Sequence, residues 1–246
     1  MPLPMTFEAR LVAARTLSPS VRELTFERTD GAAVRFEAGQ WVTLVLPHPG
    51  GELRRSYSIA SGPDGSPRFN LAITHVAHGM GSALLHGLEP GASLTAVGPQ
   101  GFFTRPLGQA PPSLFVATGT GVTPFRSMLL GAQAAADATP IWLLFGVRHE
   151  QDLLYRAELE ALAAACPHVR ILPTLSQPGG GWSGRRGYVQ AHVRELMGEL
   201  EALPASAGRA PHAYICGLQR MVGSVRDLLR KEMGLPRERV HTERYD

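Results

Sequence analysis

The chain has 246 residues, enough for one large domain or two ordinary ones, and 44% of them are hydrophobic, as in globular proteins. The formal net charge is +3 without a basic run or a basic stripe interleaved with aromatic residues, so nucleic-acid binding is not expected. The sequence shows no signal-peptide pattern and no apolar stretch that could span a bilayer, which favours a cytoplasmic protein without a membrane partner.

Two cysteines, Cys166 and Cys216, fit a reducing compartment and cannot supply the four thiolates of an iron–sulfur cluster. His75 and His78 are the closest pair of histidines that could suggest a metal. Because no cysteine or carboxylate joins them at ligand spacing, no metal site is predicted. The sequence does not define the oligomeric state, and we expect a monomer.

The first half of the chain alternates polar and apolar residues in short runs separated by Gly and Pro clusters. Such period-two runs are typical of an antiparallel barrel or sandwich. One short helix is predicted near Met80–Leu88. Arg54 and Arg55 stand at the edge of a further strand-like segment, where guanidinium groups are either solvated or bound to a phosphate. The predicted strands cover residues 21–26, 40–46, 68–74 and 93–97.

The second half alternates apolar runs with helical patterns, which predicts a parallel sheet with right-handed crossovers. The apolar runs lack alternation, as expected for strands buried on both faces. Residues 105–113 are rich in Pro and Gly and are typical of a linker, so we predict two domains, 1–108 and 109–246. The predicted strands cover residues 113–118, 140–146, 169–174, 212–217 and 240–243, with helices near 124–135, 153–166, 189–200 and 218–233.

The segment FVATGTGVTPFRSM joins the first parallel strand to a helix. Gly119 and Gly121 would let the backbone approach a pyrophosphate, and Pro124 suits the first helical position. Thr123 is a candidate cap for that helix. No lysine follows the last glycine, which excludes a Walker loop, and Pro124 replaces the third glycine of a full G-x-G-x-x-G. A phosphate-binding loop and an ordinary strand-to-helix turn both fit this segment.

Several segments, in their order along the chain, carry a resemblance to one family: RSYS (55–58), GMGS (79–82), GTGVTP (119–124), GVRHEQDLLYRAEL (146–159), ICG (215–217) and the tail HTERYD. Together they resemble the ferredoxin–NADP reductase family over nearly the whole chain. The resemblance implies an antiparallel β-barrel that binds FAD, then an α/β domain with a five-stranded parallel sheet that binds a nicotinamide dinucleotide, with the flavin between them. Hydride would pass from NAD(P)H to FAD, and single electrons would then pass to a separate acceptor such as ferredoxin or flavodoxin.

In the first domain the resemblance implies that residues 55–58 serve the flavin. Arg55 would pair with the FAD pyrophosphate, Tyr57 would lie against the flavin ring, and Ser58 would hydrogen-bond near its reactive nitrogen. A solvated side chain explains Arg54 better. The other residues expected at FAD are Ser56 of the same motif and, as donors to the pyrophosphate, Gly79, Met80, Gly81 and Ser82.

In the second domain the glycine loop would hold the dinucleotide, and Cys216 would lie near the reactive carbon of the nicotinamide and shape the geometry of hydride transfer. A small buried cysteine at a strand end has the same pattern, so a structural role for Cys216 stays open. Cys166, at a helix end before Pro167, is expected to be structural. The residues expected at the dinucleotide are Thr118, Gly119, Thr120, Gly121, Thr123, Pro124, Cys216 and Gly217.

Glu243 and Tyr245 match the family's terminal pair. The resemblance implies that Tyr245 stacks on the flavin face that the nicotinamide must occupy and moves during turnover, while Glu243 assists proton exchange with solvent. The chain departs from the plant-type pattern by adding Asp246, whose charge would change this stacking. A frayed, unpaired tail is the alternative.

The choice between NADPH and NADH stays open at this stage. The family's NADPH-dependent members place a serine and a basic residue after the third parallel strand, whereas here Ser176 is followed by the neutral Gln177. Arg185, Arg186 and Tyr188 supply the rest of a 2′-phosphate site, and no acidic residue is placed to bind the bare ribose. The sequence therefore favours NADPH by a small margin.

Other functions fit the same residues. One is a reductase of a small acceptor, such as free flavin or a ferric siderophore, and another is an FAD-binding electron-transfer subunit of a larger complex. An oxygenase component would be a further acceptor. The lack of a cysteine-rich cluster segment disfavours the subunit, and a binding module without redox chemistry would leave Cys216 and Glu243 unexplained.

Overall fold

The computed structural model describes residues 5–108, 110–206 and 208–245. Contacts divide the chain into two compact units, Met1–Thr104 with Arg126–Gly131 and Arg105–Phe125 with Ala132–Asp246. The predicted domain boundary between residues 108 and 109 lies close to the change of unit after Thr104 and stays a prediction. No helix in the described ranges is long and apolar enough to cross a membrane.

In the described residues the first unit contains six antiparallel strands and one short helix, and the alternating pattern predicts the antiparallel arrangement. The strand β1, with 14 residues, is absent from the predicted strands. The elements are β1 (Met5–Ser18), β2 (Val21–Arg28), β3 (Trp41–His48), β4 (Gly51–Ser58), β5 (Arg68–Thr74), α1 (Met80–His86) and β6 (Ser93–Gln100). The strands form one sheet in the order β4-β3-β6-β1-β2-β5, which places β4 at an edge.

The register between β3 and β4 decides which side chains of β4 share a face. Val42 lies opposite Tyr57 and Leu44 lies opposite Arg55, and both β3 residues are fully buried in the core. Because strand residues alternate between faces, Arg55 and Tyr57 lie on the core side of the sheet and Arg54 lies on the other side. Arg55 stays exposed because β4 is an edge strand.

The second unit is built on a parallel sheet in the order β10-β9-β8-β7-β11-β12. Its strands are β7 (Ser113–Thr118), β8 (Ile141–Val147), β9 (Val169–Leu175), β10 (Arg185–Arg186), β11 (His212–Leu218) and β12 (Val240–Tyr245). The sheet has six strands instead of the predicted five, because the two-residue β10 pairs with Thr174 and Leu175 of β9. A pair of arginines has no apolar periodicity, so this strand leaves no pattern in the sequence.

Helices connect the strands of the second unit at the predicted places. They are α2 (Thr123–Ala134), α3 (Arg156–Ala165), α4 (Gln190–Glu201) and α5 (Gln219–Asp227). The last helix is shorter than predicted, because the chain continues from Leu228 to Glu232 as a π-helical turn. Leu114 and Val116 of β7 and Leu144 of β8 pack with α4 and α5 in one buried core.

A buried ion pair fixes the start of the predicted linker to the second unit. Arg105 Nη1 lies 2.8 Å from Asp137 Oδ2, with the two side chains 1% and 2% exposed, and Arg105 Nε donates to Ser113 Oγ at 3.0 Å. Burial raises the pKa of the Asp137 carboxyl, but hydrogen bonds from Arg105 and Thr139 outweigh it and hold the pKa at about 2. Residues 105–113 are therefore anchored at both ends.

Asp137→Ala would leave Arg105 as an unpaired buried charge. We expect this variant to lose about 3–5 kcal/mol of unfolding free energy, measured by urea unfolding at neutral pH. Asp227→Ala is the matched control, because Asp227 pairs with Arg226 and Lys231 at the surface and its removal should leave the unfolding free energy nearly unchanged. Equal losses in the two variants would contradict the importance of the buried pair.

Candidate active site

The first group of predicted residues meets where β4 approaches the start of α1. A Cβ added to the buried Gly81 would lie 3.1 Å from Arg55 Cγ, so the first turn of α1 packs against the stem of Arg55. The Arg55 guanidinium is exposed and donates to Arg54 O at 2.8 Å, which leaves further donors for a ligand. The first amides of a helix have no partner within it. An anionic group here would meet both a guanidinium and backbone amides, which fits a pyrophosphate.

Two neighbours of this group have other tasks. Arg54 is exposed and pairs with Glu52 at 3.1 Å, which agrees with a solvated side chain. The Ser82 hydroxyl accepts a bond from Val76 N at 3.0 Å and donates to Gly79 O at 2.9 Å. The Ser82 proton therefore closes the turn before α1, and this residue would offer a ligand its backbone amide and not its hydroxyl. Met80, in the same turn, has a largely exposed side chain.

The tyrosine and serines of the motif divide between the two faces of β4. Tyr57 is half-buried against the core, and burial raises the pKa of its phenol to about 12 although the nearby Arg55 lowers it. The phenol is therefore neutral at physiological pH. Ser56 and Ser58 lie on the other face by strand alternation, where Ser56 Oγ is 3.0 Å from Thr43 Oγ1 and Ser58 is buried.

The second group lies at the carboxyl ends of β7, β11 and β12. Cys216 is in register with Ala117 of β7 and Glu243 of β12. A Cβ added to Gly121 would lie 2.3 Å from the Cys216 carbonyl oxygen, a distance that no side chain can adopt. The glycine loop and the backbone of Cys216 are therefore in direct contact, and only glycine permits this approach.

The loop also contains an unsatisfied polar atom beside open space. Thr118 Oγ1 is buried and has no hydrogen-bond partner among the described residues. It faces Gly217, where an added Cβ would lie 2.4 Å from this oxygen, while a Cβ on Gly119 would meet nothing within 4 Å. Buried polar atoms are almost always paired, so this hydroxyl fits a polar ligand bound over the loop. The nicotinamide dinucleotide implied by the resemblance is such a ligand.

The expectation that Thr123 caps α2 is wrong. The helix begins at Thr123 itself, and the hydroxyl donates to Thr120 O at 2.8 Å instead of accepting a bond from a helix amide. Residues Gly119–Val122 form a 3-10 turn that leads directly into α2, so Thr123 already has helical backbone angles and not the extended ones of a cap. Pro124 follows as the second helical residue, in the first turn where proline is tolerated.

Cys216 is fully buried, and burial raises the pKa of its thiol well above the usual value. The charge of Glu243 adds to this effect, and a hydrogen bond with Tyr245 opposes it without reversing it. The thiol is therefore neutral at physiological pH, which does not suit a nucleophile. Cys166 is also a buried free thiol and ends α3.

The tail is a paired strand. Tyr245 lies opposite Leu218 in the β11–β12 register, so the alternative of a frayed tail is wrong for the described residues. The Tyr245 hydroxyl is 3.1 Å from Thr123 Oγ1 and hydrogen-bonds with the Cys216 thiol. Asp246 lies outside the described residues, and the stacking of Tyr245 on a flavin stays a prediction.

The residues predicted at a 2′-phosphate differ in how available they are. Arg185 forms a bidentate ion pair with Glu195, with Nη1–Oε2 and Nη2–Oε1 distances of 2.9 Å. Arg186 is exposed and donates one bond, from Nη2 to Trp182 O at 2.6 Å. Tyr188 is 73% exposed. Of the two arginines, Arg186 therefore has the charge that is not neutralised by a carboxylate.

Arg148 lies directly after β8 and is not among the residues that the sequence predicts at the dinucleotide. Its exposed side chain makes no hydrogen bond or ion pair with any residue that the structure describes. Gln177 N donates to Arg148 O at 2.9 Å and Ser176 N donates to Val147 O at 3.0 Å, so the segments after β8 and β9 run side by side. An arginine just past the carboxyl end of a parallel strand is the signal that would have found it.

Family models match both halves of the chain. The model for an oxidoreductase FAD-binding domain matches residues 8–104, and the model for an oxidoreductase NAD-binding domain matches residues 115–227. Ferredoxin–NADP reductase B from Sorangium cellulosum is 64% identical over 240 residues, which cover 98% of each chain. The phenol hydroxylase P5 protein of Acinetobacter pittii is 27% identical over 97% of this chain, which spans 65% of that longer protein.

Solved structures show the same fold. A cytochrome P450 reductase from Amycolatopsis superposes with a TM-score of 0.82 at 26% identity, over 98% of this chain and 70% of that chain. The ferredoxin–NADP⁺ reductase from Neisseria gonorrhoeae, solved with bound FAD and NADP, superposes with a TM-score of 0.80 at 20% identity, over 97% and 98% of the two chains. Both confirm the predicted two-part architecture.

Arg55→Ala should weaken FAD binding roughly 10- to 100-fold, because a charge-assisted bond to a phosphate is lost. Titration of the apoprotein with FAD, followed by flavin fluorescence, measures the affinity. Arg54→Ala is the matched control, since it removes an equal charge from the opposite face of β4, where Arg54 pairs with Glu52. Equal weakening by both variants, or FMN as the released chromophore, would contradict a pyrophosphate site at Arg55.

Proposed function

The chain belongs to the ferredoxin–NADP reductase family of FAD- and NAD(P)-binding oxidoreductases, and from this premise we propose that it oxidises NADPH and reduces a separate ferredoxin or flavodoxin. The observation that carries the proposal is the contact of Gly121 with the Cys216 backbone beside the unpartnered Thr118 hydroxyl. FAD, when bound, accepts two electrons as hydride and releases them one at a time.

The residues of the first unit would bind and orient the flavin. Arg55 and the first amides of α1 would hold the pyrophosphate, because they present a guanidinium and free N–H groups at one place. Tyr57, neutral and half-buried, would lie against the ring, and Ser58 would hydrogen-bond near its reactive nitrogen.

The residues of the second unit would position the nicotinamide and keep water from it. The Gly119–Gly121 loop would hold the dinucleotide against the carboxyl ends of the strands. Cys216 would set the approach of the ring as a neutral, buried side chain, and Glu243 would exchange a proton with solvent. Tyr245 would move away from Cys216 when the nicotinamide enters.

The proposal also covers the electron acceptor, the cellular compartment and the oligomeric state. The mild excess of positive charge, mostly arginine, would steer an acidic electron-transfer protein towards the reductase. Free thiols at Cys166 and Cys216 fit the cytoplasm, where thiols are kept reduced. We propose a monomer whose FAD-binding domain ends at residue 108.

Anaerobic mixing with NADPH should bleach the flavin absorbance in a stopped-flow spectrophotometer, and the reduced protein should then reduce an added ferredoxin. Cys216→Ser should slow the bleaching about 10- to 100-fold with FAD still bound, because a small misplacement of the ring is costly for hydride transfer. The matched control is Cys166→Ser, which changes the other buried thiol and should leave the rate unchanged.

The alternatives give different results in the same experiment. Reduction of ferricyanide or free flavin, with no ferredoxin or flavodoxin accepting electrons, would replace the proposed acceptor by a small molecule. An unchanged bleaching rate in the Cys216 variant would remove the role assigned to that residue. No bleaching of the wild-type protein by either nucleotide would contradict the proposed function itself.

Arg148, directly after β8, and Arg186 of β10, beside the last residue of β9, support the choice of NADPH. A 2′-phosphate carries up to two negative charges and needs cations that are not already neutralised. Arg148 and Arg186 meet this requirement, whereas the charge of Arg185 is balanced by Glu195.

Arg148→Ala and Arg186→Ala should each raise the KM for NADPH about tenfold and leave the KM for NADH nearly unchanged. Arg185→Ala should have a smaller effect, because Glu195 balances its charge. Steady-state kinetics with ferricyanide measures both constants. Arg194→Ala, an exposed arginine of α4, is the control and should change neither. Similar effects on both nucleotides would mean that these arginines do not bind the 2′-phosphate.

A further inference from the structure

A short chain of hydrogen bonds connects the tail to the glycine loop within the second unit. Tyr245, in the last described position, is bonded to Thr123 at the start of α2 and to the thiol of Cys216. Thr123 is 2% exposed and Tyr245 is half-buried, so the bond is partly shielded from solvent. The cap that the sequence predicts at Thr123 is absent, and its hydroxyl contacts Thr120 O and the Tyr245 hydroxyl instead.

The direction of each bond follows from counting protons. A threonine hydroxyl has one proton, and that of Thr123 is donated to Thr120 O at 2.8 Å. At the 3.1 Å contact, Thr123 Oγ1 must therefore accept, and the Tyr245 hydroxyl must donate. The same hydroxyl contacts the Cys216 thiol and lowers the pKa of that thiol, so it lies between Thr123 and Cys216. The chain of donors runs from Tyr245 through Thr123 to the carbonyl of Thr120.

This arrangement places the tail where the dinucleotide has to bind. The Tyr245 hydroxyl occupies the space next to the Cys216 thiol, and a nicotinamide ring positioned by that thiol needs the same space. The ring can enter only when the bond between Tyr245 and Thr123 breaks. Any group that strengthens this bond opposes nicotinamide binding by the same factor, because the two occupants compete for one place.

We propose that Thr123 is a positioning residue that holds the tail tyrosine over Cys216 and thereby sets how readily the nicotinamide gains access to the thiol. The inference rests on the proposed function, since it takes a nicotinamide dinucleotide as the substrate. Thr123 acts through Tyr245 and needs no contact with the substrate for this effect. A hydrogen bond between neutral groups changes an equilibrium about 2- to 12-fold, which sets the size of the effect.

The test is a double-mutant cycle of Thr123→Val and Tyr245→Phe, with Thr123→Ser as the conservative variant. Valine keeps the shape of threonine without its hydroxyl, phenylalanine removes only the phenol oxygen, and serine restores the acceptor. The dissociation constant of NADP⁺, from the perturbation of the flavin spectrum, and the KM and kcat for NADPH with ferricyanide are measured. Bound FAD and circular dichroism report whether each variant is folded.

Thr123→Val should bind NADP⁺ about 2- to 10-fold more tightly and lower the KM for NADPH by a similar factor, without raising kcat. Tyr245→Phe should do the same, and the double variant should show no further tightening. Thr123→Ser should behave like the wild type. The cycle also cancels the effect of losing the bond from Thr123 to Thr120. Thr123→Val loses that bond whether residue 245 is tyrosine or phenylalanine.

Three results would overturn the inference. These are additive effects of the two substitutions, weaker NADP⁺ binding by Thr123→Val, and a serine variant that behaves like the valine variant. A Thr123→Val protein that does not fold leaves the decision to the serine and phenylalanine variants, where unchanged NADP⁺ binding by Tyr245→Phe would also overturn it. Failure of the wild-type protein to bind NADP⁺ or oxidise NADPH would contradict the proposed function instead.

Discussion

The contact between Gly121 and the carbonyl of Cys216 is the constraint on which the second unit's site depends. With 2.3 Å between an added Cβ and the Cys216 oxygen, any side chain at Gly121 would separate the turn after β7 from β11. The approach brings Thr118 beside Gly217 and sets Thr123 at the start of α2 within reach of the tail. The geometry of the thiol, the loop and the last strand thus follows from one missing side chain.

Arginines with the same chemistry have different tasks because their partners differ. In the first unit, Arg54 is paired with Glu52, while Arg55, one residue later and on the other face of β4, has free donors beside α1. In the second unit, Glu195 neutralises Arg185, while Arg186 keeps its charge. In each pair of neighbours one arginine is paired with a carboxylate and the other is available, and strand alternation separates the first pair.

The sequence predicts most of the architecture because buried parallel strands and amphipathic helices leave strong patterns. It misses β1, whose inward positions include the small Ala9, and β10, which exists only through pairing with β9. Motifs select the candidate residues of both units. They cannot show that Arg185 forms an ion pair with Glu195 or that the Thr123 hydroxyl donates to Thr120 O, because such partners are set by the folded structure.

The place assigned to the nicotinamide lies beside a neutral thiol, and the exposed cations lie away from it. Burial keeps the Cys216 thiol protonated, and the nearby Glu243 strengthens this by making a thiolate less favourable. Cations such as Arg148 and Arg186 are exposed, where holding a charge costs little until a phosphate binds. Hydride transfer needs a site without water or a competing nucleophile, whereas phosphate binding needs solvated charges. The two functions therefore require separate positions along the carboxyl ends of the parallel strands.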